Sequence, residues 1–395
     1  MTDTTLSSLV VIALVATAAP VVSDLLERWV SVPTVVLEIA GGIVIGPVLT
    51  IAHEDEVIGV LSDLGLATLM FLAGVEIDLA RVRGRPLNRA LTGWLSSLVL
   101  GIALGVALAG IDGPRSGLVV GLAVTTTALG TLLPILRDSG ELRTDFGTEV
   151  LAGAAVGELG PLVAIALLLS TDRPAHTVVV LVAFVAIALA AAALAMRPRG
   201  QRLGRVLDAT LETSGQLVVR VVVLLLVTMV WVAAELGLDV LLGAFAAGMV
   251  FRLFSAEASD REAEMVEAKL QGLGFGFLIP VFFIVSGIRF DVDALVEDPI
   301  ILLAVPAFVV AFLLVRGGPA FLQHRAWPLP DRLALSFYLA TELPLVVVIT
   351  GIGVETGRLS TATAAALVAA AMVSVLIMPL AAAHLRGDRA GVAPD

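Results

Sequence analysis

A single carboxylate interrupts a long apolar stretch of the sequence, in the segment AGAAVGELGPLV at residues 152–163. Glu158 lies about 17 Å into the helix that this stretch predicts, at 1.5 Å per residue. Burial raises the free energy of the ionised carboxylate, whereas a bound cation lowers it. Such a group can bind a proton and a cation in turn. The alternative is a glutamate that is permanently protonated, or paired with an arginine, and serves only helix packing.

Two other apolar segments contain residues that interrupt helices. They are VTTTALGTLLPILRD at 124–138 and ATELPLVVVITGIG at 340–353, which includes Glu342. Pro134 and Pro344 each remove a backbone donor, and threonine hydroxyls can satisfy the groups that are left. We predict that both helices unwind near the bilayer midplane, where half-helix ends surround a small cavity with partial charges. Kinked but continuous helices are the alternative.

The composition is that of an integral membrane protein. Hydrophobic residues make up 58% of the 395 residues and charged residues 15%, against about 25% in soluble domains. The absence of cysteine excludes disulfides, thiolate metal sites and thiol redox chemistry. The motifs of intramembrane proteases are also absent from the sequence, so we predict that the protein is not an enzyme. We predict no cofactor, no resident metal and no nucleic-acid partner.

Apolar segments that cross about 30 Å of hydrocarbon must position these residues. We predict an all-α polytopic membrane protein with about 13 transmembrane helices. They lie at 6–23, 32–50, 57–75, 91–111, 117–136, 147–169, 177–196, 216–234, 238–254, 272–288, 300–322, 332–352 and 360–385.

Basic residues predict the orientation of these helices. With the N-terminus outside, the outer loops hold only Arg115, Arg173, Arg289 and Arg358, and the inner loops hold most of the others. This asymmetry favours an odd helix count with the N-terminus outside and the C-terminus in the cytoplasm.

A short internal sequence similarity indicates two copies of one helical unit. GVEIDL at 74–79 closes the third predicted helix, and GIRFDV at 287–292 closes the tenth. A seven-helix offset gives two inverted repeats of six helices, with the seventh between them. Inverted repeats are typical of secondary transporters, whose ion sites lie where helices break.

From residue 6 to residue 385 the chain resembles the cation–proton antiporter superfamily, in the branch of bacterial sodium–proton exchangers and potassium efflux systems. The segments TTTALG, LLPILRD, GAAVGELGP and ATELPLVVVITGIGVETG carry this resemblance. It implies that the fifth and twelfth helices cross as unwound segments, and that Glu158 binds the ion or proton there with Thr126 and Thr127. Relatives often have a second polar residue where this chain has Gly157.

The resemblance also assigns auxiliary residues to the core. Arg316 falls where the family often has a basic residue, and Glu342, next to Thr341, falls where the potassium-efflux branch has a glutamate. A buried arginine needs a carboxylate partner, for which we favour Glu342 over Glu158. The alternative is that Arg316 extends to the inner lipid headgroups. We predict a structural ion pair between the two remaining helical charges, Glu38 and Arg220, and a second ion site there is the alternative.

The implied architecture is a core domain and a panel of helices that holds a homodimer together. Panel helices lie in 1–80 and 216–292 and core helices in 91–170 and 300–385, with a linker at 177–215 and a short cytoplasmic tail at 386–395. No nucleotide-binding domain is expected after the last helix. The implied function is exchange of a monovalent cation, Na+ or K+, for protons across a bacterial plasma membrane. A cation channel or a sodium-coupled symporter of the same architecture is the alternative.

Overall fold

The computed structural model describes residues 3–26, 32–77, 82–112, 114–168, 174–195, 216–255, 260–296 and 299–387, and every regular element in these ranges is helical. The α-helices are α1 (Asp3–Leu26), α2 (Thr34–Ile43), α3 (Glu56–Glu76), α4 (Arg85–Asp112), α5 (Pro114–Ala123), α6 (Leu129–Asp138), α7 (Asp145–Leu168), α8 (Pro174–Ala195), α9 (Leu217–Glu235), α10 (Val240–Ser255), α11 (Asp260–Leu273), α12 (Ile279–Ile288), α13 (Val292–Val296), α14 (Pro299–Phe312), α15 (Gly318–Gln323), α16 (Leu329–Leu339), α17 (Pro344–Glu355) and α18 (Thr361–Arg386).

Ten segments of the described chain are long and apolar enough to cross a membrane. Two shorter apolar helices, Thr34–Val48 and Val240–Ser255, lie at the second and ninth predicted positions. The fifth predicted helix is present as two pieces, α5 and α6. The tenth begins earlier than predicted, because α11 continues through a π-helical turn, Gly274–Leu278, into α12. The chain is therefore a multi-pass membrane protein. Most of the basic linker, residues 196–215, lies outside the described ranges.

The described residues form two compact units, one within 1–16, 53–78 and 166–285 and the other within 17–52, 79–165 and 286–395. In the first unit, α3 and α10 pack closely because glycines face the partner backbone. A Cβ atom on Gly74 would lie 2.2 Å from the Phe245 carbonyl oxygen, and one on Gly248 would lie 2.0 Å from that of Phe71. Small residues at such crossings let membrane helices approach until their backbones touch.

We expect Gly248→Ala to destabilise the purified protein by about 1–3 kcal/mol, the range for overpacking a tight interface. Gly272→Ala is the matched control, because a Cβ atom there meets nothing within 4 Å. That control should unfold at or slightly above the wild-type temperature, since alanine favours helix more than glycine does. Thermal unfolding in detergent measures both variants, and equal melting temperatures would contradict the close crossing.

The second unit contains both interrupted helices, and buried charges join the ends of its elements. The Arg386 guanidinium, at the end of α18, donates to Glu141 at 2.5 Å and to Asp331 at 2.8 Å. Glu141 belongs to the short turn after α6, and Asp331 lies in the first turn of α16. These ion pairs connect the helices that flank both breaks.

Candidate ion-binding site

Both helix breaks lie within the two segments that the sequence predicted, but the first lies at the threonines and not at Pro134, which is within α6. The first separates α5 from α6 at residues 124–128, and the second separates α16 from α17 at residues 340–343. Pro344 begins α17, where its missing N–H costs no helical hydrogen bond.

Backbone hydrogen bonds join the two breaks to each other and to α7. The Ala128 N–H donates to the Thr341 carbonyl at 2.8 Å, and the Thr127 N–H donates to the Gly157 carbonyl at 3.1 Å. Glu158 is the next residue of α7. Backbone groups left free by the breaks are therefore hydrogen-bonded to each other and to α7. These bonds bring the Glu158 segment to the point where the two breaks meet.

The polar side chains at this crossing are almost completely buried. Glu158 is 3% exposed, Thr126 and Thr127 are each 1% exposed, and Thr341 and Glu342 are 0% exposed. The Thr126 hydroxyl donates a hydrogen bond to Glu342 Oε2 at 3.2 Å. In the part of the chain that the structure describes, Glu342 Oε1 has no hydrogen-bond partner. The crossing thus holds two carboxylates in an apolar interior, where a proton or a cation stabilises them.

Ser374 is a residue of this site that the sequence analysis missed. Its hydroxyl accepts from the Glu342 N–H at 3.0 Å and lies 2.9 Å from the Glu342 carbonyl oxygen. It therefore holds the backbone of the second break against α18. The available signal was a polar residue inside a 26-residue apolar helix.

Arg316 lies inside the second unit, with 2% of its surface exposed. Nε donates to Thr127 Oγ1 at 2.8 Å, and Nη2 donates to the Gly153 carbonyl at 2.5 Å. These contacts direct the side chain into the protein core. The alternative, in which Arg316 extends to the inner lipid headgroups, does not describe this structure. That its carboxylate partner is Glu342 stays a prediction.

A second polar cluster borders the same region and was not predicted. Arg89 Nη1 lies 2.7 Å from one Glu149 oxygen, and His324 Nε2 lies 3.3 Å from the other. These three side chains line a pocket whose wall also includes Arg316 and Gly153. Nothing local in the sequence indicates that Arg89 and His324 share Glu149 as a partner.

Glu38 and Arg220 differ in their surroundings. Glu38 is buried in α2, and Arg220 is exposed in the first turn of α9. They belong to different units. Their ion pair therefore stays a prediction.

A buried carboxylate beside two crossed helix breaks, in an all-helical membrane protein, is the arrangement of a secondary ion transporter. The sequence profile of the family "Sodium/hydrogen exchanger, transmembrane" matches residues 10–385. The chain belongs to this family of membrane transporters.

Individual relatives agree with this assignment. The chain is 27% identical to YjbQ of Bacillus subtilis, which carries the provisional name Na(+)/H(+) antiporter; the match covers 96% of this chain and 63% of YjbQ. It is 25% identical to the Na(+)/H(+)-K(+) antiporter GerN of Bacillus cereus, over 93% of each chain. The fold is similar to that of the sodium proton antiporter MjNhaP1 from Methanocaldococcus jannaschii. That match has a TM-score of 0.68 at 16% identity and covers 96% of this chain and 99% of MjNhaP1.

Proposed function

We propose that the protein exchanges a monovalent cation, Na+ or K+, for protons by alternating access. Glu158 binds the proton and the cation in turn, and Thr126 and the backbone of the first break contribute to the site. The observation that carries the proposal is the burial of Glu158 beside two helix breaks, of which the first is hydrogen-bonded both to the helix of Glu158 and to the second break. The names of YjbQ and GerN support the same substrates.

The proposal includes the finer architecture. All 13 predicted helices cross the membrane, as two inverted repeats of six with the seventh helix between them. The core helices lie in 91–170 and 300–385 and the panel helices in 1–80 and 216–292. Two copies of the chain associate through the panel, with the N-terminus outside and the C-terminus in the cytoplasm. The interrupted α5–α6 and α16–α17 pairs support this arrangement, because they occupy corresponding places in the two predicted repeats.

The deciding experiment is reconstitution into vesicles with an imposed pH gradient. Addition of Na+ or K+ should dissipate the gradient in an antiporter. A channel would instead pass cation current without moving protons, and a symporter would require an organic substrate. Absence of cation-dependent proton movement would contradict the proposed exchange.

We expect the exchange to be electroneutral. Arg316 cannot lose its proton at ordinary pH and supplies a fixed positive charge near Glu342. Glu158 then carries one proton or one monovalent cation, and the net charge of the core is the same in both states. An imposed membrane potential, set with a potassium-free ion gradient, should leave the Na+-driven rate unchanged. A rate that follows the potential would show that a second group, foremost Glu342, also titrates.

A further inference from the structure

The space beside residue 157 is occupied by the side chains of two other residues. A Cβ atom on Gly157 would lie 2.6 Å from Arg316 Nη2 and 2.6 Å from Thr127 Oγ1. Both distances are well inside van der Waals contact. The arginine can therefore hold its position only because residue 157 has no side chain. Gly157 is thus required by Arg316, which is 159 positions further along the chain by residue number.

The hydroxyl oxygen of Thr127 faces a positive charge. This oxygen accepts a hydrogen bond from Arg316 Nε at 2.8 Å. The hydroxyl proton can be donated to the Leu339 carbonyl at 2.7 Å or to the Thr126 carbonyl at 2.8 Å. A guanidinium is a donor only and stays charged. A transported cation at this oxygen would lie directly against the guanidinium and be repelled by it.

Thr126 has a different neighbour. Its hydroxyl lies 3.2 Å from the Glu342 carboxylate and 3.1 Å from the Ala123 carbonyl, and both of these are acceptors. A cation near Thr126 would therefore meet oxygen atoms, which are the ligands that alkali cations need. The two neighbouring threonines of the first break face opposite electrostatic environments.

We infer that Thr127, Gly157 and the Gly153 carbonyl form a seat for the Arg316 guanidinium, and that the Thr127 side chain positions this arginine instead of binding the transported cation. The seat joins the first break, α7 and, through the Leu339 carbonyl, the end of α16. The statement about the cation rests on the proposed function, whereas the seat itself does not.

The seat is tested without transport, by a thermal-stability cycle on the purified protein. Gly157→Ala should lower the melting temperature, because its methyl group displaces Nη2. Arg316→Lys lacks Nη2, which removes this clash. The double variant should therefore lose less stability than the two single variants lose together. Gly318→Ala is the control, since a Cβ atom there meets nothing within 4 Å. Additive losses would overturn the seat, whether or not the protein exchanges cations.

The role of Thr127 is tested by cation kinetics in vesicles. We expect Thr126→Val to raise the KM for the cation about tenfold, the scale of one lost polar contact. Thr127→Val should lower the maximal rate with little change in KM, and Thr127→Ser, which keeps the hydroxyl, should match the wild type. A KM for Thr127→Val that rises as far as that of Thr126→Val would overturn the positioning role. Wild-type vesicles without any exchange would contradict the proposed function and leave the stability cycle to judge the seat.

Discussion

Replacement of Glu158 by glutamine is expected to reduce cation-dependent proton movement to the level of protein-free vesicles. Glutamine keeps the shape and the hydrogen-bonding capacity of the side chain, but it can neither release a proton nor neutralise a cation. Glu158 is 3% exposed in the core, and it is the group that the proposed mechanism uses for the exchange. The protein should still fold, since a neutral amide is cheaper to bury than a carboxylate.

The matched control is Glu355→Gln, at the end of α17. The Glu355 side chain is 70% exposed, and its Oε1 lies 3.9 Å from Arg289 Nη1. This variant should exchange at the wild-type rate. Dissipation of a pH gradient by added Na+ or K+ measures both variants, with melting temperature as the check on folding. Wild-type exchange by the Glu158→Gln protein would remove Glu158 from the mechanism.

The second large effect is expected from Arg316→Ala. This change removes the guanidinium donor from the Gly153 carbonyl and from Thr127 Oγ1, and, on the predicted pairing, it leaves Glu342 without a positive charge beside it. Loss of one partner from a buried charged pair typically costs about 3–5 kcal/mol. The melting temperature of the purified protein should fall accordingly.

The control for this loss is Arg289→Ala, which removes an exposed arginine from the second unit. Arg289 and Glu355 are 45% and 70% exposed and lie 3.9 Å apart. Surface pairs of this kind contribute at most about 1 kcal/mol. A comparable fall in both variants would indicate a general effect of arginine removal, and not a special role for Arg316.

A double variant identifies the partner of the arginine. Arg316→Ala combined with Glu342→Gln should recover part of the stability that Arg316→Ala alone loses, because the uncompensated carboxylate is then gone. Arg316→Ala combined with Glu158→Gln should recover less if Glu342 is the partner. Losses that simply add in the Glu342 combination would show that the two residues are not energetically coupled.

Properties of single segments were open to prediction from the sequence. Apolar length determines whether a segment can span hydrocarbon, so the helix positions follow from composition along the chain. The breaks beside Thr126 and before Pro344 follow from backbone chemistry, since proline and threonine act on their own turn. Glu158 was also detectable from the sequence, because it is a charged residue inside an apolar segment.

Partners from distant segments were decided only by the tertiary structure. Arg316 is separated from Thr127 by 189 residues, and Ser374 from Glu342 by 32, and no local pattern connects them. The sequence analysis therefore placed Thr127 among the ion ligands without detecting the guanidinium that faces it. It likewise noted the missing polar side chain at Gly157 without a reason for it. Hydropathy and backbone preference are free energies of one segment, whereas a side-chain contact depends on how several helices pack against one another.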